Sequence, residues 1–71
     1  MKKYLIVVER TPTGYSAFSP DVPGCVATGK TKKETENNMR EAIEFHLDGL
    51  REDHLVIPSP QSYSAYCSVP A

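Results

Sequence analysis

Three sets of side chains in this 71-residue sequence have the types that chemistry uses: nine carboxylates, two histidines and two cysteines. Carboxylates converging from strand interiors and a helix end can hold metal ions and hydrolyse a phosphodiester. The acids here are placed differently. Seven lie between Glu34 and Asp53, and the other two are Glu9, at the end of an apolar run, and Asp21, between Pro20 and Pro23-Gly24. Asp21 is expected to order its own turn by accepting backbone amides. His46 and His54 have no cysteine or carboxylate set at ligand spacing around them. His46 reads as a core-edge residue of a helix and His54 as a helix C-terminal residue favoured by the dipole. Ser16, His46 and Asp21 make a triad only on paper, because no nucleophile elbow is present. The four glycines, Gly14, Gly24, Gly29 and Gly49, are too dispersed for a phosphate loop. Cys25 and Cys67 sit in apolar strand patterns and read as small buried hydrophobes, not as a disulfide framework. The expectation is a protein without catalysis, metal or cofactor.

The elements that position these residues are well punctuated between Gly14 and Thr31. Residues 15–19 form a short aromatic strand that Ser19-Pro20-Asp21-Val22-Pro23-Gly24 cannot continue. Two prolines remove backbone donors there, and Gly24 permits positive φ. Residues 25–29 can then pair back. Before them, residues 2–9 make a first strand, with Tyr4, Ile6 and Val8 on one face and Leu5 and Val7 on the other. Both faces are apolar, which predicts a strand central in the sheet or inside an oligomer interface. Residues 10–14 form the hairpin between the first two strands.

Thr31 with Glu34 three residues later is a capping box, so a helix starts at about residue 32 and runs to about residue 52. Met39, Ala42, Ile43, Leu47 and Leu50, with Thr35 and His46, recur at the spacing of one buried stripe. Glu34, Glu41, Glu44, Asp48 and Arg51 occupy the opposite face. Gly49 weakens the last turn by roughly 1 kcal/mol relative to alanine, and it suits close packing or early fraying. Pro58 and Pro60 mark an extended connector. Residues 62–69 then alternate, with Tyr63, Ala65, Cys67 and Val69 on one side, and read as a fourth strand.

A right-handed crossover places that strand beside the first, in the order 3-2-1-4. The expected fold is α+β, β-β-β-α-β: a four-stranded mixed sheet with one helix on one face, as a single domain over residues 1–71. The sheet's other face lacks a cover, which oligomerisation would supply. A chain of this size buries only about 60% of its unfolded surface and gains from association.

The order Thr11-Pro12-Thr13-Gly14-Tyr15-Ser16-Ala17, then Ser19-Pro20-Asp21-Val22-Pro23-Gly24-Cys25-Val26-Ala27-Thr28-Gly29, then Thr31-Lys32-Lys33-Glu34 opening a helix, resembles the HicB antitoxin family. The resemblance extends through Arg40-Glu41-Ala42-Ile43, His46-Leu47-Asp48-Gly49-Leu50 and Ile57-Pro58-Ser59-Pro60. Its most specific part is Asp21 to Cys25. Such sequences often carry a glycine where His54 stands, a departure that bears only on the turn after the helix.

The resemblance implies a partial RNase H-like fold and an antitoxin that sterically neutralises a HicA-like, RNA-cleaving toxin. Glu41, Glu44, Asp48 and Glu52 are the toxin-binding candidates, since an acidic face favours encounter with a basic surface. Asp21, Pro23, Gly24, Thr31 and Glu34 are the structural turn and cap residues. Many HicB-like proteins carry a further C-terminal DNA-binding unit. This chain ends at Ala71, directly after the fourth strand, so direct operator binding is not expected.

The formal net charge of −1 and the mixed helix surface lack the basic footprint that nucleic-acid binding demands. A small dimeric DNA-binding repressor is therefore the lesser reading. A stand-alone oligomeric binding module is another, resting on Tyr15, Phe18, Tyr63 and Tyr66. No apolar run approaches the roughly 20 residues that cross a bilayer. The N-terminal apolar run lacks a signal-peptide cleavage site. A cytoplasmic protein, self-associating as a dimer or tetramer, is the expectation.

Overall fold

The computed structural model describes all 71 residues, Met1–Ala71. Three strands, β1 (Val7–Thr11), β2 (Gly14–Phe18) and β3 (Val26–Gly29), precede one helix, α1 (Lys32–Glu52). The strands form an antiparallel sheet in the order β1-β2-β3. This is an α+β architecture with the helix on one face, closest to β3 and least over β1. The Pro12-Thr13 turn sets the register Thr11↔Gly14 and hence Val7↔Phe18 and Val8↔Ala17, with Ala17↔Ala27 and Phe18↔Val26 beyond. Alternation then sends Val8, Ala17 and Ala27 toward the helix and Val7, Phe18 and Val26 to the open face.

The core is Ala17, Val22, Cys25, Met39, Ile43 and Leu47, with Tyr4, Ile6, Val8, Leu50 and Ile57 packed around it. Met39, Ile43 and Leu47 come from the expected helical stripe, and Thr35 continues it, fully buried. Val22 comes from the Pro/Gly loop, which makes two consecutive turns, Val22 N–H to Ser19 O and Cys25 N–H to Val22 O. These turns, with Pro23 exposed and Gly24 at a left-handed φ of 88°, push the valine inward until it is fully buried.

The capping box is present with one change. Thr31 Oγ1 accepts the Glu34 amide at 3.0 Å, while the Glu34 carboxylate accepts the amide of Lys30 at 2.8 Å instead of the amide of the cap itself. At the other end, His54 has a φ of 56°. Its amide donates to Arg51 O at 3.1 Å, and the Leu55 amide donates to Leu50 O at 2.9 Å. This is the Schellman geometry, which glycine usually occupies. The histidine therefore keeps the backbone shape that a glycine would give.

Two expectations are corrected. The first strand, expected over residues 2–9 and central, pairs only from Val7 and lies at the sheet edge. The fourth strand over residues 62–69, and with it the four-stranded order 3-2-1-4, is not formed in this chain. After the Schellman turn the chain passes the N-terminal segment that precedes β1, where Tyr4 Oη donates to Pro58 O at 2.6 Å. The tail beyond is then anchored at Asp21, in the loop between β2 and β3. Residues 63–71 project, which lengthens the molecule to 48 Å and raises its radius of gyration to 13.9 Å. A compact chain of this length would have about 11 Å. Alternation specifies which side chains share a face; it does not specify which edge a strand will join.

Candidate functional site

The helix presents the candidate site, because its inward stripe is rigidly packed and its outward face is free. With Met39, Ile43 and Leu47 buried, residues half a turn away point into solvent. Glu41, Asp48 and Glu52 lie on this outward strip together with Glu34 and are exposed. Phe45 sits among them, four residues after Glu41, three before Asp48 and seven before Glu52, with 82% of its surface exposed. Asp48 is bound by Arg51 Nη1 at 3.0 Å, the only salt bridge of the chain. Both partners are more than half exposed, so the pair adds little stability. Glu41 and Glu52 have no salt-bridge partner.

Glu44 is separated from the other three candidates. It lines a cleft of about 530 Å³ between α1 and the N-terminal segment, with Arg40 and Arg51 on the helix and Lys2 opposite. It forms no salt bridge with any of these cations, and its place in the cleft lining sets it on the flank of the strip. Phe45 was missed by the sequence reading. Its signal was present, an aromatic at the centre of a polar helical face, but periodicity arguments look for apolar residues on the buried stripe.

Asp21 has a role that its local sequence does not reveal. Its Oδ2 accepts the amides of Gln61 at 3.0 Å and Ser62 at 2.8 Å, and its Oδ1 accepts the Ser62 hydroxyl at 3.0 Å. The expectation that it orders its own turn is corrected: it latches the tail, some 40 residues away in sequence. The Ser62 amide holds its carboxyl below the ordinary carboxylate range, against an opposing push from desolvation, with the Gln61 amide and Ser62 hydroxyl adding to the lowering. Carboxylates that accept several N–H bonds behave this way.

The cysteines divide. Cys25 is buried with its thiol toward Ala42 O, and burial pushes its pKa up, which suits an inert core residue. Cys67 is exposed, contrary to the expectation of burial, because the strand that was to bury it is not formed. His46 is half-buried at the core edge, as its place on the stripe implies. Nowhere do three or more His, Cys, Asp or Glu side chains converge as a metal site would require. No helix is long and apolar enough to cross a membrane.

Apolar area remains uncovered on the sheet, in the tail and at Leu55 and Val56 just after the helix. On the open face of the sheet, Phe18 and Val26 are 40% and 69% exposed beside Val7. In the projecting tail, Tyr63, Tyr66 and Val69 are exposed. The helix face therefore offers charge with one aromatic, and the sheet and tail offer apolar area.

Comparison with known proteins gives a consistent answer. A family model described as the HicB-like antitoxin of bacterial toxin-antitoxin systems matches residues 4–71. A 14.9 kDa protein encoded in the rep-hol intergenic region of Haemophilus phage HP1 is 39% identical over 67 residues, 94% of this chain and 50% of that protein. Antitoxin HicB 2 of Photorhabdus laumondii is 30% identical over 70 residues, 97% of this chain and 50% of that protein. The chain thus spans half the length of these two relatives. Among solved structures, a chain of the HicA3 and HicB3 toxin-antitoxin complex superposes with a TM-score of 0.72 at 30% identity, covering 84% of this chain and 70% of that one.

Proposed function

This chain belongs to the HicB-like antitoxin family, and from that premise we propose that it is the antitoxin of a type II pair, which binds a HicA-like RNA-cleaving toxin in the cytoplasm. It acts without catalysis, by covering the toxin's catalytic surface. The observation that carries this reading is the exposed strip Glu41, Asp48 and Glu52 on a helix held rigid by its buried side. A toxin that grips RNA must display clustered cations. An anionic helix attracts that surface at long range and then occupies the space the RNA would take. Glu44, in the lining of the neighbouring cleft, contributes to the acidic field more than to direct contact.

Co-expression of this chain with a HicA-like toxin should restore the growth that the toxin arrests, and the two should co-purify. Glu41→Lys with Asp48→Lys should slow association by about tenfold at low salt and flatten its salt dependence. Loss of rescue by the wild-type chain would remove the antitoxin reading, and unchanged association rates would remove the helix from the interface.

The same reading includes self-association as a dimer or tetramer. Residues 62–69 keep the alternation of a strand but have no ladder partner in their own chain. Pairing with another copy would supply one and would cover Tyr63, Tyr66 and the Val7, Phe18 and Val26 row. A fourth strand supplied in this way would complete the partial RNase H-like sheet between subunits. Sedimentation at micromolar concentration tests it, with a monomer as the refuting result.

A further inference from the structure

Phe45 and Gly49 are the two residues of α1 that the chain's own packing does not explain. Phe45 is 82% exposed, although the inward stripe already carries a full apolar set. Gly49, one turn later, has no positive φ, and a Cβ built on it meets nothing within 4 Å. The glycine weakens the helix without serving an internal close approach.

We propose that Phe45 is the anchor of the docking face, a phenyl ring that enters an apolar pit on a basic protein partner. Glu41, Asp48 and Glu52 meet cations around that pit, and Gly49 lets the partner's backbone approach the helix. This inference rests on the antitoxin reading and deepens it. A central aromatic ringed by charges is the anatomy of an energetic hot spot, in which the rim excludes water from the ring. The helix is pre-organised by Met39, Ile43 and Leu47 on its far side, so little ordering opposes binding.

Charge selects the occupant. A second copy docking through the same strip would set Glu41, Asp48 and Glu52 against their own images, and like charges in contact are unfavourable. A nucleic acid or an anionic membrane surface meets the same repulsion. A cationic protein surface fits both features, the acids through attraction and the phenyl through burial.

The test uses the full chain and a HicA-like toxin, inactivated at its catalytic histidine, in kinetic binding measurements at two salt concentrations. Phe45→Ala should weaken Kd at least tenfold, mainly through faster dissociation, with the salt dependence unchanged. Phe45→Leu should recover most of the affinity, and Gly49→Leu should weaken binding by blocking approach. All three variants should remain folded by circular dichroism, because both positions are solvent-facing. Wild-type binding with Phe45→Ala within twofold of it overturns the anchor and leaves the antitoxin reading intact. Absence of wild-type binding overturns both.

Discussion

Replacing His54 with glycine should make this protein more stable, although the substitution deletes an entire imidazole. His54 occupies a φ of 56°, the only left-handed non-glycine residue in the chain. There an L-residue's Cβ crowds the neighbouring carbonyl, at a cost of roughly 1–2 kcal/mol. Glycine escapes that crowding but loses more backbone freedom on folding, roughly 0.5–1 kcal/mol. His54 is exposed, so little else is lost. The balance favours glycine by about 1 kcal/mol. In a domain this small, that raises Tm by about 4–8 °C. Thermal melts followed by circular dichroism would show the shift, and urea titrations should show a higher midpoint at an unchanged m-value. His54→Asn should fall between the two, because asparagine tolerates left-handed backbone better than most residues, and His54→Val should be the least stable of the series. If His54→Gly melts at or below the wild-type temperature, the left-handed turn is not the source of strain and the reasoning is wrong.

Two further substitutions probe close contacts elsewhere. Asp21→Asn should release residues 61 and 62, seen as faster amide exchange at Gln61 and Ser62; equal exchange in both proteins would refute the latch. Because the Asp21 carboxyl titrates below its ordinary value of 3.8, its contribution is present above that value and is lost as pH falls through the lowered folded-state value, so the acid-unfolding curve of Asp21→Asn should be shallower. Gly29→Ala should cost about 1–3 kcal/mol, read by urea denaturation, since the new Cβ would sit 2.6 Å from Thr35 Oγ1 and 2.8 Å from the Thr35 amide nitrogen. A neutral result there would mean that the helix N-terminus shifts away from β3 without loss.

Much of this was written into short stretches of sequence, because the signals are local. Thr31 and Glu34 start the helix where they stand, and the stripe from Thr35 to Leu47 points inward whatever it meets. Pro12-Thr13 closes a hairpin, and the Pro/Gly loop interrupts the second strand. The family resemblance came from the same stretches. The position of the acidic face followed from 3.6-residue periodicity, but its division did not. Separating Glu44 from Glu41, Asp48 and Glu52 required knowing that residues 1–6 lie along one flank of the helix.

Sequence by itself thus determined the helix, its buried stripe, the hairpin and the loop, since each depends on steric and hydrogen-bonding preferences acting over a few residues. Only tertiary structure decided the rest. Asp21 meets Ser62 because the segment after the helix returns past Tyr4 to the loop between β2 and β3. His54 accepts a left-handed backbone because Leu55 and Leu50 close the turn around it. The alternating tail remains unpaired because a strand's ladder partner is chosen by where the chain can reach, and no pattern within the strand encodes that.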